Sequence, residues 1–106
     1  MFYTSGRWLV YEDQVAAFMS AWDEFADWAT HEVPGGPWAI LLRDRDNPRL
    51  FLSFGPWDSL ESIEDFRSRA EFSEFLGRTR PMLEDVQVFT LDLAAQGGPA
   101  PGTNLK

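Results

Sequence analysis

The sequence contains no cysteine. Disulfides, thiolate nucleophiles, cysteine-ligated zinc and iron–sulfur clusters are therefore excluded. Lysine occurs once, as Lys106, so the nine basic residues are otherwise arginines, set against 17 Asp and Glu for a net charge of −8. Phosphate binding needs clustered Lys and Arg, so nucleic acid is not an expected partner. Histidine also occurs once, as His31, which leaves no basis for a histidine-rich metal site within one chain, and no metal is expected. No apolar run approaches the ~20 residues that a membrane-spanning helix needs, and no membrane partner is expected. Met1-Phe2-Tyr3-Thr4-Ser5 does not place a basic stretch ahead of an apolar one, so no signal peptide is expected and the expected location is cytoplasmic. Gly-x-Ser-x-Gly elbows, phosphate loops and Gly-x-Gly-x-x-Gly turns are all missing.

What is abundant is aromatic surface. Rings make up 15% of 106 residues, including five tryptophans and nine phenylalanines. Such a load implies either an unusually aromatic core or rings that line a pocket or a subunit interface. Between Arg7 and Arg43 no Lys or Arg occurs, while Glu12, Asp13, Asp23, Glu24, Asp27 and Glu32 fall in that interval. This reads as a solvated acidic face, with a surface for a cation or basic partner as the alternative.

Phe2 to Tyr11 reads as a strand, with Gly6 marking a bulge or a close approach to the backbone. Asp13 is the expected N-cap of a first helix. Val15, Phe18, Met19, Trp22, Phe25, Ala26 and Ala29 then hold helical spacing over four turns. Val33-Pro34-Gly35-Gly36-Pro37 ends that helix. Trp38 to Arg45 and Leu50 to Phe54 are expected as an antiparallel hairpin around Asp46-Asn47-Pro48-Arg49. Phe54 to Phe72 is the organising stretch. A Gly55-Pro56 turn and Trp57 lead into a second helix, capped by Asp58 or Ser59 and faced by Leu60, Ile63 and Phe66. Asp58 with Glu61 resembles a capping box. A break is expected at Ala70-Glu71, a second segment carries Phe72, Phe75 and Leu76, and Gly77 to Pro81 closes it. Val86 to Leu93 is the last strand.

The order β-α-β-β-α-β predicts an α+β, ferredoxin-like fold: four antiparallel strands with the helices on one face. Residues 1–95 form the expected domain, and the Gly/Pro-rich residues 96–106 a C-terminal tail. The uncovered sheet face is apolar in three strands, so a homodimer packed through that face is expected.

Trp57, Ser59, Glu61, Ile63 and Phe72 fall at matching places in a pattern Trp-x-Ser-x-Glu-Ala-Leu-x-x-His-x-x-Ser-x-x-Phe. On these residues, and on the Val33-Pro34-Gly35-Gly36 turn, residues 2 to 95 resemble the antibiotic biosynthesis monooxygenase family of dimeric α/β barrels. The family's helix-two histidine is Phe66 here. Haem-degrading members carry an asparagine, a tryptophan and a histidine where Gly6, Phe66 and Leu76 stand, so haem degradation is not implied. The resemblance implies a monooxygenase without cofactor, in which a flat aromatic or polyketide-like substrate supplies the electrons to O2.

Such a site needs an apolar slot and a few polar groups for an enolate or phenolate. Phe18, Trp22, Trp57, Phe66, Phe72 and Phe75 are the candidate pocket rings, with ordinary core packing as the alternative. His31 is the one side chain that titrates near neutrality unperturbed, although a helix C-terminus also attracts a histidine. Tyr3 and Arg7 are the other candidate catalytic groups, as proton donor and anion binder. A non-catalytic ligand-binding or structural homodimer of the same fold is the rival expectation. An isomerase or stress-response barrel of this architecture would require a base within reach of its substrate.

Overall fold

The computed structural model describes residues 1–98. Four strands, β1 (Phe2–Val10), β2 (Ile40–Arg43), β3 (Leu50–Trp57) and β4 (Leu83–Asp92), form one antiparallel sheet in the order β2-β3-β1-β4. Three helices, α1 (Val15–Glu32), α2 (Leu60–Ser68) and α3 (Ala70–Thr79), lie on one face. This is the ferredoxin-like arrangement that the element order predicts. The tail expected at 96–106 falls outside the described residues from 99 onward.

Strand periodicity decides which residues reach the helices. In β1 the even positions Phe2, Thr4, Gly6, Trp8 and Val10 face inward; the register partners of the first four in β3 are Trp57, Gly55, Ser53 and Phe51. Two buried clusters result. One joins Trp8, Val10, Phe18, Ala21, Phe51, Phe75 and Leu83; the other joins Ala29, Val33, Trp57, Ile63 and Phe66. Phe25 packs against both, stacking on Phe75 at 4.1 Å between ring centroids and lying 5.6 Å from Phe66.

The local structure corrects several expectations. Gly55-Pro56-Trp57 is strand rather than turn, because these residues pair with Phe2-Tyr3-Thr4 of β1. Proline is tolerated there since β2 ends opposite Phe54, so no strand lies beyond Pro56 to use an amide. Asp13 does not cap α1. It sits in a 3₁₀ turn, Glu12–Gln14, and Gln14 enters the helix with no side-chain cap. The break between α2 and α3 falls at Arg69, which is extended, one residue before Ala70. Gly77 stays helical, and α3 continues to Thr79. Leu60 is exposed and leaves the α2 stripe to Ile63 and Phe66. In the hairpin Asp44 accepts from the amides of Asp46 and Asn47, and Asn47 Oδ1 accepts from the Arg49 amide.

The organising stretch is tied to the end of α1. Gly35 has a φ of 99°, which suits glycine, and a Cβ there would meet Ser62 Oγ at 2.5 Å and Asp58 Oδ1 at 2.6 Å. The Asp58 amide donates to the Gly35 carbonyl at 3.1 Å. Ser59 is the N-cap of α2 and accepts from the Ser62 amide at 3.1 Å. Asp58 accepts from the Ser62 hydroxyl at 2.8 Å and makes no capping box with Glu61.

The outward face of the sheet carries Ile40, Leu42, Leu52, Phe89 and Leu91, all large and exposed. They share one face because their register partners alternate with the inward set. Among the described residues, no helix is long and apolar enough to cross a membrane.

Replacing Ser59 by Ala removes the cap of α2 and is expected to cost about 1 kcal/mol, read as a lower midpoint with unchanged slope in urea denaturation.

Candidate functional site

A cavity of about 70 Å³ lies between the sheet and the helices, in the gap between the two buried clusters. Its floor explains why it exists. Thr4, Gly6, Ser53 and Gly55, the inward residues at the middle of β1 and β3, are all small. Trp8 and Trp57 stand at either end. The indole of Trp8 lies over Gly6, where a Cβ would come within 2.5 Å of the ring, and that of Trp57 covers Gly36, with a corresponding 2.8 Å. Trp22, Phe25, Ala26 and Ala29 of α1 and Phe66, Phe72 and Phe75 of α2 and α3 close the cavity from above.

The floor is polar in an ordered way. Trp8 Nε1–H of β1 donates to Ser53 Oγ of β3 at 3.0 Å, and Trp57 Nε1–H of β3 donates to Thr4 Oγ1 of β1 at 3.0 Å. Each hydroxyl thus accepts an indole proton and retains its own O–H as a donor. No protein acceptor for either O–H occurs among the described residues. Thr30, also on the wall, spends its hydroxyl on the Ala26 carbonyl at 2.9 Å.

Arg67 of α2 is the one charged side chain on the wall among the described residues. It crosses to β4, donating to Thr90 Oγ1 at 2.6 Å and to the Phe89 carbonyl at 3.2 Å. Burial lowers its pKa from the ordinary arginine value. Arg69, beside the helix break, shows the opposite direction. Its hydrogen bond to Asp65 raises its pKa, with Nη2 2.9 Å from Oδ2.

Of the candidate pocket rings, Trp22, Trp57, Phe66, Phe72 and Phe75 line the cavity. Phe18 does not. It is fully buried in the first cluster, 5.6 Å from Trp8 and 5.5 Å from Phe51 between centroids. The three candidate catalytic groups lie elsewhere. Tyr3 is on the outward face of β1, opposite Pro56 and Leu91. Arg7 is on the same face, 3.5 Å from Asp85. The His31 side chain is 70% exposed at the end of α1, its Nδ1 2.7 Å from the Asp27 carbonyl. Strand parity separates Tyr3 and Arg7 from Trp8, and this was readable once Trp8 was known to face inward. Thr4, Ser53 and Arg67 were missed. Their signal is small or polar side chains at inward positions, where a filled core would carry Val or Leu. No group of three or more His, Asp or Glu able to hold a metal occurs among the described residues.

Fold and cavity together define a ferredoxin-like domain with an apolar, ring-walled chamber between sheet and helices. The family model for antibiotic biosynthesis monooxygenases matches residues 1–78, and the chain belongs to that family. Among solved structures it is similar to SnoaB, a cofactor-independent oxygenase from Streptomyces nogalater, with a TM-score of 0.83 at 19% identity over 93% of this chain and 97% of that one. It is also similar to Rv0793 from Mycobacterium tuberculosis, with a TM-score of 0.79 at 15% identity over 92% and 98% of the two chains. A conserved protein from Methanosarcina mazei Go1 gives 0.77 at 14% identity over 85% and 89%. At these identities the likeness is one of fold. No curated protein sequence matches the chain.

Replacing Ser53 by Ala leaves the buried Trp8 N–H without an acceptor. The expected loss is about 1–3 kcal/mol of stability in denaturant titration, whereas an exposed serine such as Ser73 changed to Ala stays within about 0.5 kcal/mol.

Proposed function

We propose that the protein is a cofactor-independent monooxygenase acting on a flat aromatic or polyketide-like molecule bound in the chamber, with residues 1–95 as the functional domain. The observation that carries this is the chamber itself, walled by Trp22, Phe25, Phe66 and Phe72 and floored by two hydroxyls held by indoles. Family membership supports the reaction class. In such a reaction the substrate supplies all the electrons. A ring methylene beside a carbonyl loses a proton to give an enolate, which O2 oxidises. One oxygen atom ends as a new carbonyl and the other leaves as water, a four-electron change that needs no external reductant. The protein's part is to bind the ring, exclude water and stabilise the enolate oxygen with the Thr4 and Ser53 O–H groups and the Arg67 charge.

One observation favours a second reading, a ligand-binding protein without catalysis. No carboxylate, imidazole or phenol lines the cavity among the described residues, so no side chain there is a general base. A substrate acidic enough to ionise unaided reconciles the two.

Oxygen uptake decides between them. With anthrone-type substrates the expected result is one O2 consumed per quinone formed, and background rates in Ala26→Leu, whose larger side chain fills the chamber. Binding without uptake across the panel leaves the second reading. Neither binding nor uptake removes both.

A second copy packed on the open sheet face accounts for the exposed Ile40, Leu42, Leu52, Phe89 and Leu91. The sequence composition is consistent with a cytoplasmic location. The protein is expected to sediment at twice the chain mass, and Leu52→Glu, which puts a charge in the middle of that face, to sediment as a monomer.

A further inference from the structure

Four of the eight arginines of this acidic protein are neutralised by ion pairs. Arg7 pairs with Asp85, Arg49 with Glu84, Arg69 with Asp65 and Arg78 with Glu24. Arg43, Arg45 and Arg80 are exposed to water. Arg67 fits neither group. It is half-buried, it lines the chamber, and no carboxylate lies within ion-pair distance of it among the described residues. Its partners are neutral oxygens, Thr90 Oγ1 and the Phe89 carbonyl, which use two of the five guanidinium N–H donors. A cation drawn out of water without a counter-charge is unfavourable, and the protein's 17 acidic residues could have supplied one.

The position of its anchor is informative. Thr90 stands opposite Thr4 in the β1–β4 register. Directly opposed side chains on neighbouring strands are about 5 Å apart. The Arg67 guanidinium is therefore held at the same level of the floor as the Thr4 hydroxyl, whose oxygen accepts from Trp57 and whose O–H is uncommitted. A positive fork and a hydroxyl donor meet on the β4 side of the ring-walled chamber.

We propose that Arg67 and Thr4 form an anion subsite on the β4 side of the chamber, and that the ligand is a flat ring compound carrying an anionic oxygen conjugated to the ring, a carboxylate or an ionised enol or phenol. The ligand supplies the counter-charge that the chain withholds. Its rings lie under Phe66 and Phe72, and its charged oxygen takes the free N–H groups of Arg67. This deepens the proposed function and rests on the chamber being the ligand site. It also specifies how a site without a general base selects its substrate: the ionised form is what binds.

The test compares charged and neutral forms of one ring by isothermal titration calorimetry on the full chain. 2-Naphthoate is set against methyl 2-naphthoate, and ionised 2-naphthol against neutral 2-naphthol, so that the carboxylate and phenolate are read separately. At least one anion is expected to bind about tenfold or more tighter than its neutral counterpart. In Arg67→Gln the preference is expected to vanish while the neutral compound still binds. Arg45→Gln, the same charge change in the hairpin, is expected to keep it. Arg67→Lys retains the charge without the fork, and an intermediate preference is expected; it also serves if Arg67→Gln does not fold. Equal binding of anion and neutral forms, or a preference that survives in Arg67→Gln, overturns the anion subsite and leaves the chamber as an apolar site. Failure of both neutral compounds and both anions to bind overturns the chamber as ligand site, and the subsite with it.

Discussion

The fold turns on two hydrogen bonds that run in opposite directions between the central strands. The Trp8 indole reaches from β1 to Ser53 of β3, and the Trp57 indole reaches from β3 to Thr4 of β1. A buried indole N–H must find an acceptor, and here each finds one on the neighbouring strand. To do so, the Trp8 ring lies back along the sheet, over Gly6. The middle of the floor must therefore carry small residues, and the large side chains are displaced to the two ends. The core divides into two clusters for this reason, and the chamber is the space between them. Cavity, floor chemistry and core organisation follow from one requirement, the satisfaction of two ring N–H groups.

The helices adapt to that division. The Arg69 break lets Ile63 and Phe66 of α2 serve the Trp57 cluster while Phe75 of α3 serves the Trp8 cluster. A continuous helix could not direct both sets downward over the length of the sheet. Arg69 itself bridges the junction, bonding Asp65 in α2 and approaching the Glu32 carbonyl at the end of α1.

Much of this was legible in the sequence, and the exceptions have physical causes. Helical spacing located α1, and alternation located the strands and their two faces. Gly-Pro read as a turn because both residues break regular structure locally; pairing with Phe2-Tyr3-Thr4 made it strand, and only tertiary contact could reveal that. Asp13 read as a cap because its type favours capping, but an intervening 3₁₀ turn placed it inside the first coil. Five of the six candidate rings line one cavity, since aromatic residues at helical spacing share a face. Phe18 could not be told from its neighbours, because one turn of helix separates a residue on the chamber wall from one behind it. Thr4, Ser53 and Arg67 were invisible for a different reason. Their places on the cavity wall depend on which strands are adjacent, and strand adjacency is not a local property of the chain. His31, Tyr3 and Arg7 were singled out by residue type, and type says nothing about facing.

The distribution of indoles has an optical consequence. Trp8, Trp22, Trp38 and Trp57 all border the chamber, leaving Trp28 as the one tryptophan that does not. The near-ultraviolet absorption and emission of the protein thus arise mostly from the walls of a single small compartment. Because indole emission responds to the polarity and quenching power of its surroundings, the protein contains its own spectroscopic probe of that one compartment.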